Sequence, residues 1–303
     1  MKKQAVSLVL SSGGARGMAH IGVIEELEKQ NFEIKSISGC SMGALIGGVY
    51  AAGHLKEFKN WLDKLDKIDV FKLMDFTIST HGFIKGIKVF NEINKFIGNG
   101  LIEDLRIPYA AVATDVDNQE EVVFNKGKLR DAIRASVSIP SVLEPFIWNG
   151  TSLIDGGILN PIPLNRVKRT KNDILIAVDL NAIVSTKKII KQTKKQKTKE
   201  EQSLLKLIEF KEKWEKFFPN DKTEKEKLGH LSLLDRSFDM MQNKISQYEI
   251  ANNQPDILVS ISKTACGTFD FYLADKMIEL GKQTFNEALK NYDKKIIEKY
   301  KNI

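Results

Sequence analysis

The stretch Gly39-Cys40-Ser41-Met42-Gly43 decides how this chain folds, because it separates a strand-like run from a small-residue helix. Before it, residues 34–38 alternate apolar and polar side chains, as in a β-strand. After it, residues 44–52 are mostly apolar or small and end at Gly53, as in a packed helix. A tight turn between strand and helix exposes a serine at the carboxyl edge of a sheet, near the positive end of the helix dipole. The stretch makes Ser41 a candidate nucleophile, but by itself it also fits a glycine-rich turn that only caps a helix, so the assignment depends on two further motifs.

A second glycine-rich turn lies upstream. Residues 5–10 form an apolar run that predicts a buried strand, followed by Ser11-Ser12-Gly13-Gly14-Ala15-Arg16-Gly17 and a helix predicted over 18–29. The backbone N–H groups of such a turn bind an anion, either a phosphate or a tetrahedral oxyanion. A dinucleotide site requires Gly-x-Gly-x-x-Gly here and an acidic residue at the end of the next strand. Ser12 takes the first glycine position and the next strand ends in the serine turn, which disfavours a dinucleotide cofactor.

A third motif, Leu153-Ile154-Asp155-Gly156-Gly157, places an aspartate at a strand end before two glycines. In isolation, such an aspartate is typical of a turn. Here Ser-Val-Ser-Ile-Pro at residues 136–140 and Asn-Pro-Ile-Pro at 160–163 bracket it. Asp155 is therefore a candidate partner of Ser41. The order of the motifs along the chain can now be compared with that of known families.

Taken together, these motifs resemble those of the bacterial patatin-like phospholipases. They occur in the family's order, at residues 13–17, 19–22, 39–43, 113–115, 134–140 and 155–157. The resemblance extends over residues 5–180 and resumes near 248–261 and in the terminal helix. It implies an α/β fold, a three-layer α/β/α sandwich with a mainly parallel central sheet. It also implies a catalytic dyad, with Ser41 as the nucleophile and Asp155 as the group that activates it.

The resemblance maps an oxyanion hole onto Gly13, Gly14 and Arg16. Ser12 stands where the family usually has the first of three glycines, but the next two are kept, so we expect the hole to be retained. A serine hydroxyl needs a base within hydrogen-bond reach. An aspartate is a weak base at its ordinary pKa near 4, so we expect burial beside Ser41 to raise the pKa of Asp155.

The function implied by the resemblance is that of a serine esterase of phospholipase A or lysophospholipase type. Its substrate would be a phospholipid or lysophospholipid, cleaved through an acyl-enzyme. The alternative is a low-turnover, membrane-associated binding or regulatory protein of the same fold. A Ser-His-Asp triad needs a histidine after the acid in the usual order. The histidine after Asp155 is His230, in a Lys/Glu-rich segment. No residues have metal-ligand spacing, so we expect neither metal nor cofactor.

The net charge of +7 is concentrated in one segment. Lysines without an intervening acid occupy positions 187, 188, 191, 194, 195, 197 and 199. Leu207, Phe210, Trp214 and Phe217 follow at three- and four-residue spacing, which predicts an amphipathic helix. We interpret residues 185–229 as a charged helical insertion, either a lid or an element that docks on anionic membrane, although its apolar face also fits packing on the core. No reading motif accompanies the charge, so we expect no nucleic-acid partner.

The composition favours one domain over residues 1–303, since 42% hydrophobic residues suffice for one large core. We predict further strands over 174–180 and 257–261 and a closing helix over 270–291. A stripe of residues predicts another core-facing helix: Leu231, Leu234, Phe238, Met241 and Ile245.

The two cysteines, Cys40 and Cys266, have no short spacing and form neither a zinc motif nor a disulfide framework. A reducing compartment is the simpler interpretation, so we expect a cytoplasmic protein with peripheral contact on the inner membrane face. No apolar run reaches the length of about 18 residues that a transmembrane helix needs. The sequence makes no prediction about oligomeric state.

Overall fold

Strands and helices alternate through most of the chain in the computed structural model, which describes residues 3–74, 86–140, 142–184 and 230–301. The predicted insertion over 185–229, with its basic run, lies outside these ranges. The described elements are β1 (Gln4–Leu10), α1 (Ala19–Lys29), β2 (Phe32–Cys40), α2 (Met42–Ala52), α3 (Leu55–Leu62), α4 (Lys67–Met74), α5 (Ile87–Ile97), β3 (Tyr109–Asp115), β4 (Glu120–Phe124), α6 (Leu129–Ser136), β5 (Phe146–Trp148), β6 (Thr151–Asp155), β7 (Ile174–Ala182), α7 (His230–Asn253), β8 (Ile257–Ser262) and α8 (Ala274–Lys301).

The described strands form one mixed sheet in the order β5-β6-β3-β2-β1-β7-β8, with β4 also paired to β3. The five strands β3, β2, β1, β7 and β8 run parallel to one another. β4 and β6 pair with β3 in the antiparallel sense, and β5 pairs antiparallel with β6. The prediction of an α/β fold with a mainly parallel central sheet is confirmed.

Both faces of the sheet are covered, which explains why β1 and β3 are nearly continuous runs of buried residues. Val6, Leu8 and Leu10 of β1 lie in the main core, to which α1, α2, α6 and α8 also contribute. Val9, which points to the other face, packs in a smaller cluster built from residues 162–167 and β7, with Ile250 of α7 against it. The three-layer arrangement follows from this alternation.

Two glycines let α1 and α8 cross at close range. A Cβ atom on Gly22 would lie 1.9 Å from the carbonyl oxygen of Ile278, and one on Gly281 would lie 2.1 Å from that of Ala19. Each helix therefore places a glycine against the backbone of the other. This contact holds α8 against the start of α1, next to the turn that follows β1.

The strands paired along the two edges of β3 determine where the predicted site residues meet. On one edge, residues 111–115 pair with β4. On the other, residues 109–112 pair with the end of β2, and residues 113–115 pair with β6. β2 and β6 therefore approach each other head to head along one edge of β3. Cys40 ends β2 opposite Val112, and Asp155 ends β6 opposite Ala113.

Some elements differ from the sequence-based expectation. The first helix was expected from residue 18, but a 3₁₀-helix over Gly14–Met18 precedes α1. The expectation that α7 turns Met241 to the core is wrong, because that side chain is 58% exposed. Among the α7 side chains whose burial the structure describes, the buried ones are the polar residues Asn243 and Ser246. Within the described residues, no helix combines the length and the apolar character needed to cross a membrane.

Candidate active site

Ser41 lies in a sharp turn between β2 and α2, with φ of 53° and ψ of −119°. A non-glycine residue rarely adopts such angles, and they direct the serine side chain away from both elements. The glycines on either side make the turn possible. A Cβ on Gly39 would lie 2.5 Å from the backbone of Gly43, and one on Gly43 would lie 2.1 Å from the carbonyl oxygen of Leu10.

The hydroxyl of Ser41 donates a hydrogen bond of 2.5 Å to Oδ2 of Asp155. Both side chains are buried, with exposed fractions of 4% and 5%. The other carboxylate oxygen, Oδ1, accepts the backbone N–H of Gly157 at 2.8 Å and the thiol of Cys40 at 3.7 Å. The structure therefore brings Ser41 and Asp155 together and leaves Oδ2 of Asp155 facing the serine hydroxyl.

Burial raises the pKa of Asp155 to about 6. Hydrogen bonds from Ser41, Gly157 and Cys40 lower the pKa, but burial is the larger effect. A carboxylate with this pKa is a stronger base than an exposed aspartate and is still ionised at neutral pH. Burial and the charge of Asp155 raise the pKa of the Cys40 thiol well above its ordinary value. Cys40 therefore remains a neutral hydrogen-bond donor to Asp155.

The glycine-rich turn after β1 presents free backbone donors at the same edge of the sheet. Leu10, at the end of β1, pairs with Gly39 near the end of β2 and with Val178 of β7, so the turn after β1 begins beside the Ser41 turn. Among the described residues, the N–H groups of Gly13 and Gly14 have no hydrogen-bond acceptor, whereas their neighbours Ser12 and Ala15 donate to Pro161 and Thr268. These two unpaired donors suit an anion.

Gly14 has φ of 56°, and a Cβ there would lie 2.6 Å from the carbonyl oxygen of Thr268. Glycine is therefore required at this position. The third residue predicted for the oxyanion hole, Arg16, directs its side chain elsewhere. Its guanidinium is buried and donates to the carbonyl oxygens of Leu180 and Cys266 and to Oδ1 of Asn181. The side chain thus holds the turn in place, which leaves only its backbone to contact a ligand.

The C-terminal end of α6 and the residues just after it support both members of the Ser41–Asp155 pair. The hydroxyl of Ser136 accepts the N–H of Ser41 at 2.8 Å, and the carbonyl oxygen of Ser138 accepts the N–H of Asp155 at 2.9 Å. Thr114 also donates to the carbonyl oxygen of Asp155. The motif at 134–140 indicates that this segment matters, but the role of Ser136 emerges only from the structure.

Two further residues near the site carry no local sequence signal. Gln242, on α7, donates to the carbonyl oxygen of Gly157 at 3.0 Å. Asn181, at the end of β7, donates through Nδ2 to the carbonyl oxygen of Ser12 at 3.0 Å. Both residues belong to segments far along the chain from the turns that they contact, and contacts of this kind cannot be detected from sequence spacing.

The side chains of the described histidines do not join the pair. His20 is buried, with Nε2 on the carbonyl oxygen of Ser11 at 2.9 Å, and burial lowers its pKa to about 4. It is therefore neutral and holds the backbone ahead of the glycine turn. His54 is exposed at the start of α3. Within the described side chains, Asp155 contacts Ser41 directly, without an imidazole between them.

Comparison with known proteins shows which family has this combination of motifs. The model of the family described as "Patatin-like phospholipase" matches residues 8–167. An uncharacterized NTE family protein of Mycobacterium tuberculosis is 30% identical over 331 aligned residues, which cover 95% of this chain and 92% of that protein. Lysophospholipase NTE1 of Candida albicans is 32% identical over 191 residues, covering 60% of this chain but 14% of the larger protein.

Among solved structures, VipD of Legionella pneumophila matches with a TM-score of 0.47 and 14% identity, covering 96% of this chain and 67% of that one. The family model covers more than half of this chain, and the Mycobacterium tuberculosis relative aligns with nearly all of it. The chain belongs to the patatin-like phospholipase family.

Proposed function

We propose that this protein is a lipid acyl hydrolase of phospholipase A or lysophospholipase type that cleaves carboxylic esters with a Ser41–Asp155 dyad. The observation that carries the proposal is the 2.5 Å hydrogen bond from the Ser41 hydroxyl to the buried Asp155 carboxylate. The family match supports lipid hydrolysis, and the Candida albicans relative is named a lysophospholipase. The substrate would be a phospholipid or a lysophospholipid.

In the first half-reaction, Asp155 accepts the proton of Ser41 as Oγ attacks the ester carbonyl. The free N–H groups of Gly13 and Gly14, with the backbone of Arg16, would meet the charge that develops on the carbonyl oxygen. Each such donor commonly contributes about 3 kcal/mol to stabilising the transition state. Asp155 then returns the proton to the leaving alcohol, which leaves an acyl group on Ser41.

In the second half-reaction, Asp155 accepts a proton from a water molecule as the water oxygen attacks the acyl carbonyl. The bond to Ser41 Oγ then breaks, Asp155 returns the proton to Oγ, and the fatty acid is released. The chemistry assigned to Ser41 and Asp155 requires neither a metal nor a cofactor. We further propose that residues 1–303 act as one catalytic domain in the cytoplasm, with peripheral membrane contact through the segment 185–229. That contact rests on the sequence, since the segment lies outside the described residues.

The function is tested by substituting the nucleophile. Ser41→Ala should reduce turnover of p-nitrophenyl butyrate and of a mixed lipid extract by at least about a thousandfold, while the far-UV circular dichroism is unchanged. Ser237→Ala is the matched control, because the Ser237 hydroxyl donates to the carbonyl oxygen of Leu233 in its own helix and, among the described residues, to no residue of the site. Normal turnover by folded Ser41→Ala protein would reject the assignment. Mass-spectrometric product analysis of the lipid extract identifies the ester that is cleaved.

The role of the acid is tested separately. Asp155→Asn should lose activity to a similar degree, because an amide cannot accept the serine proton. In the wild-type protein, kcat/KM should rise with pH through a pKa of about 6, since the ionised carboxylate is the active form. An Asp155→Asn variant with wild-type activity would indicate a different base.

The alternative, a binding or regulatory protein with little turnover, makes a different prediction. An activated serine reacts covalently with a fluorophosphonate, whereas an ordinary serine does not. Labelling at Ser41, absent from Ser41→Ala and retained in Ser237→Ala, supports the hydrolase. Folded wild-type protein that is not labelled would favour the binding function.

A further inference from the structure

Two adjacent polar side chains of α7 contact two separate segments near the candidate active site, the turn after β6 and the end of β7. Nε2 of Gln242 donates to the carbonyl oxygen of Gly157 at 3.0 Å. Nδ2 of Asn243 donates to the carbonyl oxygen of Asn181 at 2.6 Å, and Asn243 is buried. A helix that packed only through apolar contacts would not place amides at these positions. These two hydrogen bonds therefore suggest that the contact of α7 with the site has a specific role.

Gly157 is the residue through which Gln242 reaches the dyad. The N–H of Gly157 donates to Oδ1 of Asp155 at 2.8 Å, while its carbonyl oxygen accepts the amide of Gln242. A Cβ on Gly157 would lie 2.4 Å from Nε2 of Gln242 and 3.1 Å from Oδ1 of Asp155. Glycine has no side chain that limits its conformation, so outside contacts must fix the direction of its N–H. Gln242 provides such a contact.

The second contact reaches the glycine-rich turn. Asn181, whose carbonyl oxygen accepts Asn243, donates to the carbonyl oxygen of Ser12 and accepts a hydrogen bond from Arg16. α7 is thus hydrogen-bonded to the Asp155 loop directly and to the Gly13 turn through one residue. This arrangement ties together the two loops that flank Ser41.

We infer that Gln242 is a positioning residue, which holds the Gly157 N–H against Asp155 and so keeps the carboxylate aligned with Ser41. This inference rests on the proposed function, because it concerns the same dyad. Gln242 does not touch the reacting atoms. Its effect passes through the backbone of Gly157.

The expected consequence is a change in the acid limb of the pH profile. The hydrogen bond from Gly157 lowers the pKa of Asp155, so loosening it should raise that pKa. Among the described side chains, the titratable group in contact with Asp155 is the neutral Cys40 thiol. Glu121 on β4, whose negative charge also raises the pKa of Cys40, accepts a hydrogen bond from Arg166. On α7, Asp239 pairs with Lys263, and Lys244 lies over the ring of Tyr248.

The test compares Gln242→Met and Gln242→Glu with the wild type, using p-nitrophenyl butyrate from pH 4.5 to 9. Methionine fills the same space without an N–H donor. We expect kcat to fall about tenfold with little change in KM, and the acid limb to move up by about half a pH unit. Glutamate also adds a negative charge near Asp155, so its shift should exceed that of methionine.

Gln283→Met is the matched control, since that glutamine lies on α8 and its amide donates to Glu279 of its own helix, with no bond to another described residue. It should keep the wild-type profile. If the Gln242 variants lower the melting temperature but keep the wild-type acid limb and kcat, the residue is merely structural and the inference is wrong. If instead Ser41→Ala retains turnover, the proposed function fails, whatever the Gln242 variants do.

Discussion

The backbone conformation of Ser41 is unfavourable for folding but places the serine side chain in the candidate active site. Its φ of 53° lies in a region that an L-residue with a Cβ adopts only under constraint. A residue held in this way typically costs about 1–3 kcal/mol, which the surrounding structure must offset. Here the hydrogen bond from its N–H to Ser136 and the start of α2 hold the turn in place.

Substituting Ser41 with glycine and with alanine should separate this strain from the lost hydroxyl. Both variants lose the hydrogen bond to Asp155, but only glycine tolerates the positive φ, so Ser41→Gly should have the higher free energy of unfolding, by about 1 kcal/mol. Urea denaturation measures the difference. At Ser237, inside α7, the order should reverse, since glycine disfavours a helix. Equal stability of the two Ser41 variants would show that the turn is unstrained.

At this scale, the sequence predicts the residues whose signal is local. Ser41, Gly13, Gly14 and Asp155 each stand in a glycine motif at the end of a strand, and the structure places those strand ends together. The sequence could not predict that the Arg16 side chain points away from the oxyanion position and makes a buried hydrogen bond to β7. Gln242 was also inaccessible, because an amide on an amphipathic helix carries no motif and its partner lies 85 positions away.

At the scale of elements, the crossing of α1 and α8 connects the core to the glycine-rich turn. Gly22 and Gly281 allow backbone contact between the helices, and Ala19, which Gly281 approaches, begins the helix that follows the turn. A displacement of α8 would therefore be transmitted to the residues directly after Gly13 and Gly14. The crossing affects stability and the geometry of the site together.

Gly281→Ala should test this crossing. Its Cβ would lie 2.1 Å from the carbonyl oxygen of Ala19, so the helices must separate, at a cost of about 1–3 kcal/mol in unfolding free energy. Differential scanning calorimetry should show a lower melting temperature. Gly100→Ala is the control, because no atom of the described residues lies within 4 Å of a Cβ at that position. A Gly281→Ala protein as stable as the control would mean that the two helices adjust without cost.

Strands and helices with a clear hydrophobic periodicity were predicted well from the sequence. Where the structure differs from the prediction, the difference has a physical cause. β1, β2, β7 and β8 are parallel strands that read as apolar or alternating runs, so their centres were evident. The antiparallel pairing of β6 with β3 was not evident from the sequence. A strand as short as β6 fits beside several other strands, so its partner cannot be chosen from its own residues. The core-facing stripe assigned to α7 was wrong at Met241, because its polar residues make the buried contacts.

For the whole molecule, the distribution of charge bears on where the protein works. Much of its net charge of +7 comes from the lysines at 187–199, in a segment outside the described residues. A protein that hydrolyses lipid esters must reach a lipid surface. A basic run can supply the attraction to anionic headgroups, with each lysine near the surface adding about 1 kcal/mol.

Liposome flotation should test this contact. The full chain should float with vesicles that contain phosphatidylserine but not with pure phosphatidylcholine, and added salt should weaken binding. Deleting residues 185–229, or replacing the seven lysines by glutamine, should abolish flotation. Turnover of soluble p-nitrophenyl butyrate by the glutamine variant is the control for an intact active site. Unchanged binding by both variants would exclude the segment as the membrane contact.

The head-to-head meeting of β2 and β6 on β3 bears on how the chain can vary in length. The separation between Ser41 and Asp155 is set by backbone pairing to neighbouring positions of β3, not by the path of the chain between the strands. Residues can therefore be gained or lost in the turns at 116–119 and 149–150 without moving the dyad. A single residue inserted within β6 would instead reverse the alternation of its side chains and turn the carboxylate to the opposite face of the sheet.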